Sequence, residues 1–120
     1  MEQGLRVSER SYDAEPLSHH HPYCQVLLPA QGRLALVCEG EGGWVGGGQV
    51  AVIAPGTEHG YHADGPNRMV VADFPADSPE TAPVFGQPGV FRPQDARLTN
   101  LTATLQAETR VGGLRDPLVA

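Results

Sequence analysis

Residues 19–28 have the sequence His-His-His-Pro-Tyr-Cys-Gln-Val-Leu-Leu, and residues 48–59 have the sequence Gly-Gln-Val-Ala-Val-Ile-Ala-Pro-Gly-Thr-Glu-His. Both stretches combine histidine with a run of aliphatic residues and are bounded by Pro and Gly, which is typical of short strands that end in tight turns. All histidines of the chain lie in or beside them, at positions 19, 20, 21, 59 and 62. We therefore interpret the two stretches as strands that carry a shared polar site.

Further short strands are predicted on either side of these stretches, at residues 4–12, 33–38, 44–45, 59–62 and 68–74. The chain has 15 Gly and 11 Pro, which favours many turns over long helices. Short strands separated by frequent turns indicate a sandwich or a small barrel. The expected fold class is therefore all-β, with a barrel over residues 1–75.

The C-terminal part of the chain differs in character. Residues 76–94 are rich in Pro and Gly and are predicted to be a loop or linker, and residues 112–120 are predicted to be a tail. Residues 95–111 are predicted to form a helix, because Leu98, Leu101 and Leu105 recur at helical spacing. Two alternatives stay open for this helix: it packs on its own barrel, or its narrow apolar stripe forms a dimer.

Charge and hydropathy exclude several classes of function. The net charge is −6 and every basic residue is Arg, so no basic patch is expected for direct binding of nucleic acid or of a membrane surface. Even the longest apolar runs, such as residues 26–30 and 50–55, are far too short to span a bilayer. The N-terminus resembles no export signal, so we expect a cytoplasmic protein.

The two cysteines, Cys24 and Cys38, are expected to be reduced packing residues, as is usual in the cytosol. If residues 30–32 formed a tight hairpin turn, the two thiols would be cross-strand neighbours.

Strand alternation suggests which polar side chains share a face. If residues 19–28 form one strand, alternate side chains point the same way. With one histidine from a second strand, the shared set is His19, His21, Tyr23, Gln25 and His59. Three imidazoles from two strands would form a metal site with an open position. The alternative is that the same side chains line a polar pocket for an organic ligand. His62 has the opposite parity and is expected to point away.

These spacings resemble the two sequence motifs of cupins. His19-x-His21-x₃-Gln25-x₆-Gly32 resembles the first motif, and Gly48-x₇-Gly56-x₂-His59 resembles the second. The resemblance implies a jelly-roll β-barrel. In metal-binding cupins, two His and a Glu of the first motif and a His of the second hold the ion. The implied ligands of a divalent transition metal (Zn, Fe or Ni) are therefore His19, His21, Gln25 and His59. Gln25 departs from the pattern, because it lacks the anionic oxygen of Glu.

A narrower resemblance involves residues 19–29, residues 53–59 and Asn67-Arg-Met-Val-Val-Ala-Asp73. These segments are similar to the N-terminal sensor barrel of AraC-type transcriptional regulators. In that family the barrel binds a small effector, the helices that follow dimerise, and C-terminal helix-turn-helix units bind DNA. The resemblance implies a non-enzymatic, homodimeric effector-sensing domain, with the DNA-binding units absent from these residues. The alternative is a small stand-alone metal-dependent cupin enzyme, such as a dioxygenase or an isomerase.

Overall fold

The computed structural model describes residues 6–12, 17–75 and 90–111, and their side chains apart from those of residues 17–19 and 111. Within these ranges the chain forms nine strands and one helix. They are β1 (Arg6–Arg10), β2 (Leu17–His19), β3 (Cys24–Gln31), β4 (Leu34–Cys38), β5 (Glu41–Val45), β6 (Gln49–Ile53), β7 (His59–His62), β8 (Arg68–Phe74), β9 (Phe91–Pro93) and α1 (Ala96–Val111). The predicted fold class, an all-β domain followed by a C-terminal helix, is confirmed.

The strands form two antiparallel sheets. The five-stranded sheet has the order β1-β8-β3-β6-β9, and the four-stranded sheet has the order β2-β7-β4-β5. Among the described strands only β4 and β5 are both consecutive in sequence and paired. Most connections therefore pass between the sheets or skip a strand, as in a jelly roll. Part of the predicted linker belongs to this fold, because β9 pairs with β6 and places Phe91 opposite Ala51.

The space between the sheets holds the main hydrophobic core. Successive side chains of a strand point to opposite faces, so on β8 Met69 and Val71 point inward while Val70 and Ala72 point outward. The inner cluster consists of Leu27, Leu34, Leu36, Cys38, Val45, Ala51, Ile53, Tyr61, Ala63, Met69 and Val71.

Helix α1 covers the outer face of the five-stranded sheet, so this sheet is buried on both sides. Leu98 and Leu105 pack against an outer cluster that contains Val7, Leu28, Val50, Val70 and Ala72. Leu101 was predicted to share their face, but it is 44% exposed, and Thr102 is buried instead. At about 100° per residue, positions 98, 102 and 105 lie close together around the helix and Leu101 lies at the margin.

The start of α1 follows a standard rule of helix capping. Oδ1 of Asp95 accepts a hydrogen bond from the N–H of Leu98 at 2.9 Å, which satisfies a backbone donor of the first turn. In the described part of the chain, no helix combines the length and the apolar character that crossing a membrane would require.

The single strand predicted over residues 19–28 is wrong. Strand β2 ends at His19 in the four-stranded sheet, whereas β3 begins at Cys24 in the five-stranded sheet. Pro22 lies in the connecting segment, where it has no backbone N–H to donate to a continuous ladder. The alternation predicted from His19 to Gln25 therefore does not apply across this connection.

The conditional prediction that the two cysteines are cross-strand neighbours is also wrong. Strands β3 and β4 lie in different sheets, because the turn at Gly32 carries the chain across instead of folding it back. Gly32 has a φ of 69°, and a Cβ at this position would collide with the carbonyl oxygen of Pro66. Both thiols are buried, and burial raises the pKa of the Cys38 thiol, which suits a packing role.

Candidate functional site

His59 begins strand β7 and points into the space between the sheets, where it is 2% exposed. Its Nδ1 lies 2.9 Å from the carbonyl oxygen of Thr57. A carbonyl oxygen only accepts hydrogen bonds, so Nδ1 carries the proton and Nε2 is the basic nitrogen of the neutral ring. His62 lies three residues further along the strand and is exposed, as its parity predicted.

His21 reaches the same place from the segment that connects β2 to β3. The N–H of Gly56 donates to the carbonyl oxygen of His21 at 2.7 Å, which ties this segment to the turn before β7. The ring centroids of His21 and His59 are 5.4 Å apart, and the His21 ring stacks on Tyr23 at 4.6 Å. The tertiary fold, and not alternation along one strand, therefore brings the two imidazoles together.

A chain of buried hydrogen bonds lies next to the imidazoles. The hydroxyl of Tyr61 donates to Oε1 of Gln25 at 2.8 Å, and Nε2 of Gln25 donates to Oδ1 of Asp73 at 3.0 Å. All three residues are buried, and Gln25 is only 1% exposed. Because a carboxylate accepts but does not donate, Asp73 determines which end of the amide faces it. Gln25 is therefore held in one orientation at both ends.

Arg10 and Tyr12 extend this network toward the N-terminal strand. Nη2 of Arg10 lies 3.8 Å from Oδ2 of Asp73, and its Nε donates to Ser8 at 2.8 Å. The ring centroids of Tyr12 and Tyr61 are 4.8 Å apart. Asn67 accepts from the backbone N–H of Tyr12 and donates to its carbonyl, each at 2.9 Å, which fixes Tyr12 against the loop before β8.

The electrostatics of the site favour neutral imidazoles and phenols. Burial lowers the pKa of His21, and the neighbouring His59 lowers it further. Burial likewise lowers the pKa of His59, against the opposing effect of its hydrogen bond to Thr57. Burial raises the pKa of the Tyr12 and Tyr61 hydroxyls, so both stay protonated. Among the described side chains of the network, the ionic charges are then the positive charge of Arg10 and the negative charge of Asp73, which balance each other.

The structure brings together four of the five predicted site residues: His21, Tyr23, Gln25 and His59. The backbone of His19 lies directly opposite His59 in the β2–β7 register, but its side chain is outside the described residues. Sequence reasoning did not assign Tyr61, Asp73 or Arg10 to the site. Tyr61 could have been found, because it lies two residues after His59 and therefore on the same face of β7. Asp73 depends on the pairing of β3 with β8 and Arg10 on the pairing of β1 with β8, and the sequence pattern reveals neither.

His59 also borders a cleft at the surface. The cleft has a volume of about 290 Å³ and is lined by Val37, Glu39, Gly40, Glu58, His59 and Gly60. It lies where β4 ends and β7 begins.

A transition metal would need more ligands than the described side chains provide. They contain no group of three or more His, Cys, Asp or Glu side chains placed to hold an ion. Gln25, at the position of the cupin carboxylate, has both ends of its amide engaged by Tyr61 and Asp73. The described residues thus offer the two imidazoles of His21 and His59, which do not complete a site on their own. Metal binding stays a prediction that requires His19 as a third ligand.

Comparison with protein families identifies one match. The family model described as the AraC-like ligand binding domain matches residues 4–105, which is most of the chain. The matched region contains all the described strands and most of α1. A search of curated proteins finds no match.

Solved structures support the cupin fold. A conserved protein of unknown function from Streptococcus pyogenes matches with a TM-score of 0.57 and 20% identity over 65% of this chain and 70% of that one. A cupin-2 domain containing protein from Shewanella frigidimarina matches with a TM-score of 0.54 and 16% identity over 62% and 74% of the two chains. The EutQ protein of Clostridium difficile matches with a TM-score of 0.54 and 16% identity over 62% of this chain, and the match spans 59% of its own length. Together with the family match, this architecture shows that the chain is a cupin-fold protein that belongs to the family of AraC-like ligand-binding domains.

Proposed function

We propose that the chain is the effector-sensing and dimerisation domain of an AraC-type transcriptional regulator, whose helix-turn-helix units lie outside these residues. The observation that carries this proposal is a set of buried polar side chains inside an otherwise apolar barrel. The set consists of Gln25, His59, Tyr61 and Asp73. Convergent polar groups between apolar walls are typical of sites that orient a small organic molecule. Membership of the ligand-binding family supports the same conclusion.

Strand β1 offers a physical route from this site to the helix. Arg10 points inward and contacts Asp73 of the site, whereas its neighbour Glu9 lies on the opposite face, under α1. The carboxylate of Glu9 accepts from Nε2 of Gln106 at 2.6 Å and from Arg110 at 2.9 and 3.2 Å. A ligand that displaces Arg10 would therefore also shift the anchor of the helix. Such a shift gives a regulator two states that an effector can bias.

Binding can be tested by thermal unfolding of the chain in the presence of small sugars, phenols and other compact polar compounds. A ligand at about 100 times its Kd should stabilise the fold by about 2.7 kcal/mol and raise the melting temperature. His21→Ala should abolish the shift for that ligand, whereas the matched variant His62→Ala, on the exposed side of β7, should keep it. Equal loss in both variants, or no shift with any compound, would count against the proposal.

The proposed homodimer involves the exposed side of α1. The buried face of α1 is used by the barrel itself, which leaves Leu101 as a large apolar side chain at the surface. We expect light scattering to give the mass of a dimer for the chain and of a monomer for Leu101→Glu. The control is Thr104→Glu, another exposed position about one helical turn away, where a smaller effect is expected. A monomeric parent chain would contradict the proposed homodimer.

The alternative function, a small metal-dependent cupin enzyme, is favoured by one observation, the 5.4 Å separation of the His21 and His59 rings. Elemental analysis of protein purified without a histidine tag decides between the two functions. A stoichiometric transition metal that is lost in His21→Ala, together with a turnover reaction, would favour the enzyme over the sensor.

A further inference from the structure

Gln25 and Asp73 form a buried hydrogen-bonded pair in which one side chain must donate and the other must accept. They are directly opposite each other in the register of β3 and β8, and both are buried. The donor–acceptor distance between them is 3.0 Å, from Nε2 of Gln25 to Oδ1 of Asp73. A glutamate at position 25 would place two carboxylates at this distance without a donor between them, which is costly in a buried site.

The pair also determines where the buried negative charge lies. The carboxylate is on β8, within 3.8 Å of the guanidinium of Arg10. The uncharged amide is on β3, beside the hydroxyl of Tyr61, whose ring packs edge-on against His59 at 5.3 Å. The exchanged arrangement, with a glutamate at position 25 and an asparagine at position 73, would keep the same hydrogen-bond geometry. It would move the charge toward the imidazoles and away from Arg10.

A divalent cation needs anionic or basic ligands to compensate for its lost hydration, and a carboxylate next to two imidazoles provides them. An amide whose two ends are already hydrogen-bonded provides no charge. The described network contains one positive side chain, Arg10, and one negative side chain, Asp73, whose charges balance. It therefore has no excess negative charge to attract a metal ion.

We propose that the Gln25–Asp73 pair is a specificity determinant of the site. It keeps the buried negative charge beside Arg10 and away from His21 and His59, so that the site takes an uncharged organic ligand in preference to a divalent metal cation. The choice of ligand class rests on the proposed sensing function. The placement of the charge rests on the structure alone, and it disfavours the metal that the cupin resemblance implies.

The first test is the stability of three nearly isosteric variants, Gln25→Glu, Asp73→Asn and the double variant Q25E/D73N. We expect Gln25→Glu to lower the free energy of unfolding, measured by urea denaturation at pH 7.5. Asp73→Asn should destabilise the parent chain but stabilise Q25E, because the introduced amide then donates to the introduced carboxylate and restores the pair. Such a change of sign does not arise when two substitutions act independently. Additive effects of the two substitutions would overturn the proposed pairing.

The second test is the titration of each variant with Ni²⁺, followed by calorimetry and by the absorption of the bound ion. We expect Q25E/D73N to bind one Ni²⁺ at least tenfold more tightly than the parent chain. Adding His59→Ala to Q25E/D73N should remove the gain, while adding His62→Ala should leave it, which separates the site from binding at the surface. Equal affinity of the parent and Q25E/D73N would overturn the proposal. Neither test uses an effector, so a ligand screen that fails would count against the sensing function without changing either result.

Discussion

At the scale of single residues, the two imidazoles of β7 show how position determines chemical role. His59 and His62 are three residues apart on one strand, so alternation turns one inward and the other outward. The inward ring is held in one tautomer by Thr57, while the outward ring is exposed to solvent. The same rule places Tyr61 beside His59, where its hydroxyl becomes the donor that orients Gln25.

Tyr61→Phe should destabilise the chain by about 1–2 kcal/mol, because it leaves a buried amide oxygen of Gln25 without its donor. Tyr23→Phe is the matched control, since Tyr23 is only half-buried, and it should cost less than about 0.5 kcal/mol. Chemical denaturation of both variants measures the difference. Equal costs would mean that the Tyr61 hydroxyl does not act through Gln25.

At the scale of secondary-structure elements, α1 is held on the sheet by the apolar contacts of Leu98 and Leu105 and by charge near its end. Leu98 and Leu105 pack on the outer cluster, and Arg110 in the last turn binds Glu9 of β1. A basic residue at this end also interacts favourably with the helix dipole. The helix is therefore anchored to the same strand that contributes Arg10 to the site.

Leu105→Ala should lower the free energy of unfolding by about 1–2 kcal/mol, which is below the usual cost in a full core because Leu105 is only partly buried. Leu101→Ala, measured at a concentration low enough to keep the chain monomeric, should change it by less than about 0.5 kcal/mol. If Leu101→Ala lowered the free energy of unfolding more than Leu105→Ala, the helix would dock on the sheet through the predicted face that contains Leu101.

Glu9 should make the docking of α1 sensitive to acid. Burial raises its pKa, but the hydrogen bonds from Arg110 and Gln106 and the charges of Arg110 and Arg68 outweigh burial, so the pKa lies below its usual range. The unfolded chain then binds a proton before the folded chain does. The stability that Glu9 contributes is complete above its unfolded pKa of about 4.3 and is lost as the pH falls through the lower folded value.

The comparison with Glu9→Gln isolates this contribution from other carboxylates. At pH 7 the variant should be less stable than the parent chain, and the difference should shrink as the pH is lowered from about 5 to 3. Urea denaturation at several pH values measures it. A difference that stays constant over this range would show that the charge of Glu9 is not what anchors the helix.

At the scale of the whole molecule, the two sheets differ in how they are covered. The five-stranded sheet is buried by the core on one side and by α1 on the other, so residues 50–53 of β6 and residues 69–72 of β8 are apolar on both faces. Without the helix, the outer cluster would become an exposed apolar surface.

A chain that ends at residue 94 should therefore bind a hydrophobic dye such as ANS and form aggregates larger than the proposed dimer, while the full chain should do neither. Fluorescence and size-exclusion chromatography measure the two effects, with Leu105→Ala as an intermediate case. A shortened chain that stays monomeric and binds no dye would show that α1 is not needed to cover the sheet.

The sequence alone determined the fold class, most strand positions and the assignment of His59 and Gln25 to the interior, because alternation and turn residues are local properties of the chain. It also indicated the family, through motif spacings that span residues 19–59. Tertiary structure alone decided that residues 19–28 divide between two sheets at Pro22, and that Leu101 is exposed. It also placed Asp73 beside Gln25 and Arg10 beside Asp73, through the pairing of β8 with β3 and with β1. The physical reason is that these features depend on which strands pair and on which face of the helix packs against the sheet. Strand pairing and helix packing are in turn set by contacts between residues far apart in the chain.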